Sequence, residues 1–239
     1  MTYFRFHLYF NVPVLALLLL SPAAREWGDG RWCAAGILLV IVYAFTSPWD
    51  NYAVGRGIWG FPPGKYWRRI WRLPVEEYLF FGLQSVQVML AINVLTGWGW
   101  GGAPWAVPSL MSAKVLMPMG LTALIWLAVG LACRRRAPRF NYARHLLFWF
   151  LPLIFVQWVI GWPVLAPNWP LVVGPTLAFG IWLSAADFLA VRAGLWFFDD
   201  RQITGFKFGG VLPWEEVAFF HLTSLLVSQS YLLLTALLR

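Results

Sequence analysis

Leu73-Pro74-Val75-Glu76-Glu77-Tyr78-Leu79-Phe80-Phe81 places two adjacent carboxylates at the start of an apolar segment. The pattern returns as Leu212-Pro213-Trp214-Glu215-Glu216-Val217-Ala218-Phe219-Phe220, with six of the nine positions identical and an offset of 139 residues. The chain has only 10 Asp and Glu residues, and four of them belong to these two copies. The repeat predicts two related halves, each with a carboxylate pair at one helix start.

The composition is that of an integral membrane protein. Hydrophobic residues make up 60% of the chain and charged residues 12%, whereas about a quarter of the residues in a soluble domain are charged. The apolar runs are long enough to cross a bilayer as helices and lack the alternation of a membrane β-barrel. We therefore predict an all-α membrane protein.

Seven apolar segments predict transmembrane helices. They cover about residues 3–21, 32–47, 74–95, 113–133, 144–163, 169–187 and 213–237. Residues 1–97 and 141–239 then form two three-helix repeats, and a linker helix within 98–140 restores the orientation of the second repeat. The two repeats run parallel through the membrane, an arrangement that can build a shared site between them.

Basic residues predict the topology. The chain has 18 Lys and Arg residues and a net charge of +8, and all but Arg25, Arg31, Lys114 and Arg239 fall on one side of the predicted spans. The positive-inside rule then puts the amino terminus in the cytoplasm and the carboxyl terminus outside, in a multi-pass protein of the cell membrane. The Arg134–Arg136 cluster is interpreted as orienting helices or touching anionic membrane lipid rather than nucleic acid.

Further polar residues repeat at the predicted cytoplasmic helix ends. The isolated histidines lack the clustered partners of a metal site, so hydrogen-bonding or interface roles are favoured over ligation. For the aspartates, two interpretations have equal weight: an ion pair with a nearby arginine (Arg56 or Arg192) and a direct chemical role. The repeated polar residues are His7 and His145, and Asp50 and Asp187, while Trp59 and Trp196 repeat at a fixed distance after the aspartates.

The carboxylate pairs have a structural and a functional interpretation. A proline before an acidic residue suits the first turn of a helix, where the helix dipole favours negative charge. However, further polar side chains follow within the same apolar span, and polar groups at such depth usually face the bundle interior or a cavity. Glu77 shares a helix face with Gln84, while Glu76 aligns with Gln87. We favour function for the pairs, without choosing one glutamate.

Aromatic side chains beside the carboxylates predict the type of chemistry. Burial away from water disfavours the charged form of a carboxyl group, and aromatic ring faces stabilise a passing cation. An enzyme that protonates an alkene needs both properties. The aromatic candidates are Phe80, Phe81, Phe219, Phe220, Trp59 and Trp196.

Several other function classes lack their motifs. The sequence contains no glycine-rich nucleotide fingerprint, no P-loop, and no Ser/His/Asp or zinc-spaced set. Asp199-Asp200 is not followed by a second Asp-rich motif of the kind that binds a diphosphate through magnesium. The remaining prediction is acid–base chemistry on an apolar substrate, without a metal or cofactor. The oligomeric state is not predicted.

These motifs resemble the membrane-integral lycopene cyclases, found as two small subunits in some bacteria and as fused tandem domains in archaea, other bacteria and fungi. The resemblance covers nearly the whole chain. The matching stretches are Pro74-Val75-Glu76-Glu77, Pro213-Trp214-Glu215-Glu216, Pro48-Trp49-Asp50-Asn51-Tyr52 with Gly57-x-Trp59, and Phe6-His7 with Pro13.

The resemblance implies an isomerase, or intramolecular lyase, that closes the acyclic ends of lycopene or a related carotenoid into β-rings. It implies an acid–base set of Glu76, Glu77, Glu215 and Glu216, with Asp50 and Asp187 as alternative proton groups. The substrate-binding candidates are the six aromatic residues above together with Gln84, His7 and His145. The family motif favours Glu76 and Glu215, whereas helix phase favours Glu77 and Glu216. A carotenoid hydratase on the same scaffold and a small proton-coupled transporter are the alternatives.

Overall fold

Long helices make up most of the chain. The computed structural model describes residues 1–101, 113–133 and 138–238. Within these ranges the long helices are α1 (Tyr3–Leu20), α2 (Asp29–Gly55), α3 (Val75–Gly97), α4 (Ala113–Cys133), α5 (Asn141–Leu165), α6 (Trp169–Arg192) and α7 (Trp214–Leu237). Helix α1 contains a π-helical turn over His7–Asn11, and short helical turns cover Pro22–Arg25 and Pro138–Phe140.

Six of the described helices, all except α4, are long and apolar enough to cross a membrane. Helix α4 forms over the range that the sequence predicted, with a shorter apolar stretch at Met119–Ala128. An α-helix satisfies its own backbone hydrogen bonds, as the bilayer core requires. The prediction of a helical membrane protein is confirmed at this level. The predicted basic cluster Arg134–Arg136 and the terminal Arg239 lie outside the described residues.

Helices α2 and α6 are longer than predicted. The apolar run of α2 ends before Pro48, which favours a helix end, yet α2 continues to Gly55. The polar side chains beyond the proline are buried and hydrogen bonded, since Asn51 donates to the carbonyl four residues earlier at 2.9 Å. These contacts stabilise the added turns. Consequently Asp50 and Asp187 lie inside their helices rather than at the ends.

Short β-ribbons form in the loops. The strands are β1 (Trp59–Gly60), β2 (Arg69–Ile70), β3 (Leu73–Pro74), β4 (Phe197–Phe198), β5 (Lys207–Phe208) and β6 (Leu212–Pro213). Strands β2 and β3 form one antiparallel hairpin and β5 and β6 another, and each hairpin leads directly into a helix that starts with a glutamate pair. Strand β1 pairs antiparallel with β4, which joins the loop after α2 to the loop after α6.

Helices α3 and α7 pack against each other at the centre. Gln84 Nε2 donates to Thr223 Oγ1 at 2.9 Å, and Tyr231 donates to Asn93 Oδ1 at 3.1 Å, so polar side chains bridge the two halves along their buried length. Helix α4 packs on α5, where the Trp126 indole donates to the Phe148 carbonyl at 2.7 Å. As a result, the starts of α1, α3, α5 and α7 meet at one end of the bundle, where the repeated polar residues lie.

Candidate active site

The first glutamate of each pair faces its preceding loop. Glu76 accepts a hydrogen bond from the Trp67 backbone N–H at 2.8 Å, and Glu215 accepts one from the Thr204 backbone N–H at 2.8 Å. Both side chains are buried. The hairpins place these amides above the helix starts, since the Val75 N–H also donates to the Arg68 carbonyl in the same loop. Glu76 and Glu215 therefore fasten the loops to the helices.

The second glutamate of each pair faces inward. Glu77 accepts a hydrogen bond from the Tyr3 hydroxyl at 2.7 Å, and Glu216 accepts one from the Tyr142 hydroxyl. In both halves the two partners are separated by 74 residues. Thus the same contact, from the first helix of each half to the third, is made twice.

Glu77 and Glu216 line one cavity between the halves. It holds about 400 Å³ of empty space, counting its open mouth. Phe80 and Phe220 meet edge to face across it, with ring centroids 6.1 Å apart. Such a wall presents aromatic surfaces and few polar atoms to its contents. The other lining residues are Tyr3, Phe6, Trp59, Phe61, Trp196, Phe198 and Phe219.

Asp50 and Asp187 are buried beside this cavity, with 3% and 0% of their surface exposed. The Trp59 indole donates to Asp50 Oδ1 at 3.1 Å. The Trp196 indole lies beside Asp187, yet among the described residues neither carboxyl oxygen of Asp187 has a hydrogen-bond partner of acceptable geometry. The aspartates of the two halves are therefore held differently.

Ion pairs with arginine, one interpretation of these aspartates, do not form. Neither Asp50 with Arg56 nor Asp187 with Arg192 lies within ion-pair distance. The four inward carboxyl groups, Asp50, Glu77, Asp187 and Glu216, interact electrostatically with one another, and no described lysine or arginine lies within 4 Å of them. A cluster of buried carboxyl groups without a counter-cation is unfavourable when all of its members are ionised.

The two predicted histidines make hydrogen-bonding and stacking contacts. His7 Nε2 donates to the Glu76 carbonyl at 2.9 Å, and its Nδ1 accepts from Asn11 at 3.1 Å, which defines a neutral ring. His145 stacks on Trp49 with centroids 5.2 Å apart. Neither histidine lines the carboxylate cavity. His145 supports the cavity wall from behind, since Trp49 in turn stacks on Phe219. His7 stacks directly on Tyr3 of the wall.

Two other predicted residues, Phe81 and Gln84, lie along a neighbouring groove rather than in the cavity. Within the described ranges, no group of three or more His, Cys, Asp and Glu side chains could hold a metal ion.

The acidic pair in the loop before β5 is engaged with basic side chains. Asp200 pairs with Lys207 at 2.5 Å. Hydrogen bonds from the Arg201 side chain lower the pKa of Asp199 to about 2. These contacts tie the loop to itself.

Comparison with known proteins identifies the family. The chain is 32% identical over 223 residues to a lycopene beta-cyclase of Halobacterium salinarum, a match that covers 92% of this chain and 90% of the relative. The chain belongs to the lycopene beta-cyclase family. No protein-family model matches the chain, and no solved structure matches it.

Fungal members of the family match as well. Bifunctional lycopene cyclase/phytoene synthases of Aspergillus oryzae and Phaffia rhodozyma are each 26% identical to the chain, over 94% and 95% of its length. These matches cover only 38% and 36% of the fungal proteins. The chain therefore corresponds to one part of these longer family members.

Tyr3 and Tyr142 are site residues that the sequence analysis missed. They lie 139 residues apart, the offset that also separates Glu77 from Glu216. The repeat of the two tyrosines was not evident because the neighbouring histidines repeat at an offset of 138. An alignment of the halves on the histidines is therefore shifted by one residue. Alignment on the glutamates alone would have paired the two tyrosines.

Proposed function

We propose that the protein is a lycopene beta-cyclase that converts the acyclic ends of lycopene into β-rings without net oxidation or reduction. One observation carries the proposal: Glu77 and Glu216, one from each half, line a single aromatic cavity. Membership in the lycopene beta-cyclase family supports the substrate class.

In the proposed mechanism, the carboxylic acid of one glutamate protonates the terminal double bond of the substrate. The resulting tertiary cation is attacked by a neighbouring double bond of the same chain, which forms the ring bond and moves the positive charge into the ring. The carboxylate of the other glutamate then removes a ring proton, leaving a ring double bond. One proton is added and one is lost, so the product is an isomer of the substrate.

The cavity provides the surroundings that this reaction needs. The carbocation forms in a cavity without water to solvate it. The aromatic ring faces of Phe80, Phe220 and their neighbours stabilise its positive charge. Exclusion of water protects the cation from capture as an alcohol. The hydroxyls of Tyr3 and Tyr142 fix the glutamates in position. We assign the catalytic acid–base roles to Glu77 and Glu216, and loop-anchoring roles to Glu76 and Glu215.

Asp50 and Asp187 are proposed to determine which of the two glutamates in the cavity is protonated. Both are buried and interact electrostatically with Glu77 and Glu216. Burial without a counter-cation favours the protonated form of a carboxyl group. Under this proposal the cluster keeps one glutamate neutral and ready to donate, while the other accepts.

We also propose that α4 is a seventh transmembrane helix between two parallel repeats, residues 1–97 and 141–239. Helix α3 starts at the cavity and its 23 residues lead away from it. Helix α5 starts at the cavity again, where Tyr142 contacts Glu216. The chain between them has to return across the bundle, and the 21-residue α4 supports that crossing. By the positive-inside rule, the amino terminus and the cavity would lie at the cytoplasmic side and the carboxyl terminus outside. The helices would contact membrane lipid.

Expression in a bacterium that accumulates lycopene tests the function. Extracted pigments should contain carotenoids with one or two β-rings, identified by chromatography and absorption spectra. A variant with both Glu77→Gln and Glu216→Gln, produced at the same level in the membrane, should leave lycopene unchanged. A lycopene-only extract from well-expressed wild-type protein would overturn the proposal. Hydroxylated acyclic products would favour a hydratase instead.

A further inference from the structure

A groove beside the cavity is suited to the long chain of the substrate. It lies between α2, α3, α5 and α7 and holds about 640 Å³ of empty space, counting its open mouth. Aliphatic and aromatic side chains line it on every side, among them Leu38 and Ile41 of α2, Phe150 and Leu153 of α5, and Phe219 of α7. We call it the α2–α5 groove.

The groove adjoins the carboxylate cavity. Phe219 lines both spaces, and Phe81 of the groove follows Phe80 of the cavity. Along α7 the groove extends from Phe219 to Ser230. This distance is about 16 Å, since each helical residue adds about 1.5 Å. A hydrocarbon chain with its end in the cavity would therefore enter the groove past Phe219.

The mouth of the groove opens sideways. Ile41 of α2 and Leu153 of α5 both line the groove and are 47% and 38% exposed. Both lie within helices of membrane-spanning length and composition. In a bilayer this mouth faces the lipid chains, where an acyclic carotenoid is dissolved, so the substrate could enter without crossing water.

Most polar side chains along the groove are already paired. Gln84 Nε2 donates to Thr223 Oγ1 at 2.9 Å and to Ser224 Oγ at 3.3 Å. Ser85 donates to the Phe81 carbonyl at 2.8 Å. Because these groups bond to one another, a hydrocarbon in the groove breaks few hydrogen bonds.

The corresponding interface between α1 and α6 carries two larger side chains. Sequence alignment on the aspartates puts Phe179 and Trp182 of α6 at the positions of Val42 and Phe45 of α2. Phe179 is 5% exposed, and the Trp182 indole donates to the Phe10 carbonyl at 3.2 Å. Two larger side chains and a direct hydrogen bond thus lie at this interface, although Ala178 stands there in place of Ile41.

In α3, Gln87 takes the place that Leu226 has in α7. It is fully buried and donates to the Asn11 carbonyl at 2.8 Å, which links α3 to α1. The two halves therefore differ at the positions that open the α2–α5 groove.

We propose that the α2–α5 groove binds the conjugated chain of the acyclic carotenoid while one end of it occupies the carboxylate cavity. The inference rests on the proposed function and adds the route of the chain. With the chain in this groove, one substrate end reaches the glutamates at a time. The second ring then requires release and re-entry in the opposite direction.

Matched tryptophan substitutions on α5 test the groove. Leu153→Trp fills the mouth, whereas Leu151→Trp changes a side chain that is 45% exposed and lies outside the groove. In lycopene-producing cells, L153W should form about 100-fold less ringed product, because displacement by about 1 Å at a reacting centre can cost that much. L151W should match wild type. Should L153W fail to accumulate, Val42→Phe in the groove and Val40→Phe outside it replace the pair.

Binding provides a second measurement that does not depend on catalysis. The Glu77→Gln, Glu216→Gln protein purified in detergent should retain added lycopene, seen by its visible absorption. A triple variant that also carries the Leu153→Trp substitution should not retain it. Equal activity of L153W and wild type, or equal loss in L153W and L151W, would overturn the groove assignment. A wild-type protein that forms no ringed product would overturn the proposed function itself.

Discussion

Replacement of single glutamates by glutamine separates the two roles within each pair. Glu77→Gln keeps the shape of the side chain and an oxygen that can accept from the Tyr3 hydroxyl, but the amide cannot give or take the proton. General acid–base catalysis contributes about 10²- to 10⁴-fold to the rate of an enzyme. We therefore expect E77Q to lower the rate of ring formation by about that factor, and Glu216→Gln to do the same.

Glu76→Gln should behave differently. Its amide oxygen can still accept from the Trp67 N–H, so the loop stays fastened by a neutral hydrogen bond. Because a hydrogen bond is kept at this position, the loss of folding stability should not exceed about 1 kcal/mol. Activity should stay close to that of wild type, because Glu76 does not line the cavity. Glu215→Gln should match it, because Glu215 accepts from the Thr204 N–H in the same way.

The assay compares the four variants at equal protein amounts in isolated membranes. Lycopene is added, the initial rate of ringed product is measured by chromatography, and thermal unfolding in detergent reports stability. A 100-fold loss in E76Q and E215Q, with E77Q and E216Q close to wild type, would refute the assignment of the inward glutamates to proton transfer.

Two further predictions concern stability, measured by thermal unfolding in detergent. Trp59→Phe keeps an aromatic wall but removes the indole that donates to Asp50, so it should lower the free energy of unfolding by about 1–3 kcal/mol. Trp196→Phe loses no such hydrogen bond and should lower it less. Gly180→Ala would put a methyl group 2.4 Å from the nearest His221 ring atom and should destabilise the protein by about 1–3 kcal/mol. Gly174→Ala in the same helix is the control, because the nearest atom to its methyl group is 3.5 Å away, and it should not destabilise the protein.

The long apolar helices and the repeated polar residues were accessible from the sequence because their signals are local. The bilayer requires long apolar helices, so composition alone reveals them. The glutamate pairs stand out since acidic residues are rare in this chain. The helix ends were less accessible. Pro48 signals an end, but α2 continues because Asp50 and Asn51 find partners elsewhere in the fold.

The choice between neighbouring glutamates depends on contacts distant in sequence. Adjacent helical residues point about 100° apart, so Glu76 and Glu77 cannot both face the cavity. Helix phase with Gln84 indicated Glu77. The contact that orients Glu76 is made by the Trp67 backbone, and its position depends on the β2–β3 hairpin. No periodicity in the sequence reports where that amide lies.

The repeat itself conceals the difference between the halves. Two similar halves supply two equivalent glutamates to one cavity, and such symmetry suits a reaction that needs an acid and a base of the same chemical type. A linear substrate breaks the symmetry, because its chain has to leave the cavity along one interface. In our proposal the α2–α5 groove provides that interface, and its lining differs from that of the α1–α6 interface. If the chain leaves by one groove, the two ends react in separate binding events, and a carotenoid with one ring must form before the carotenoid with two.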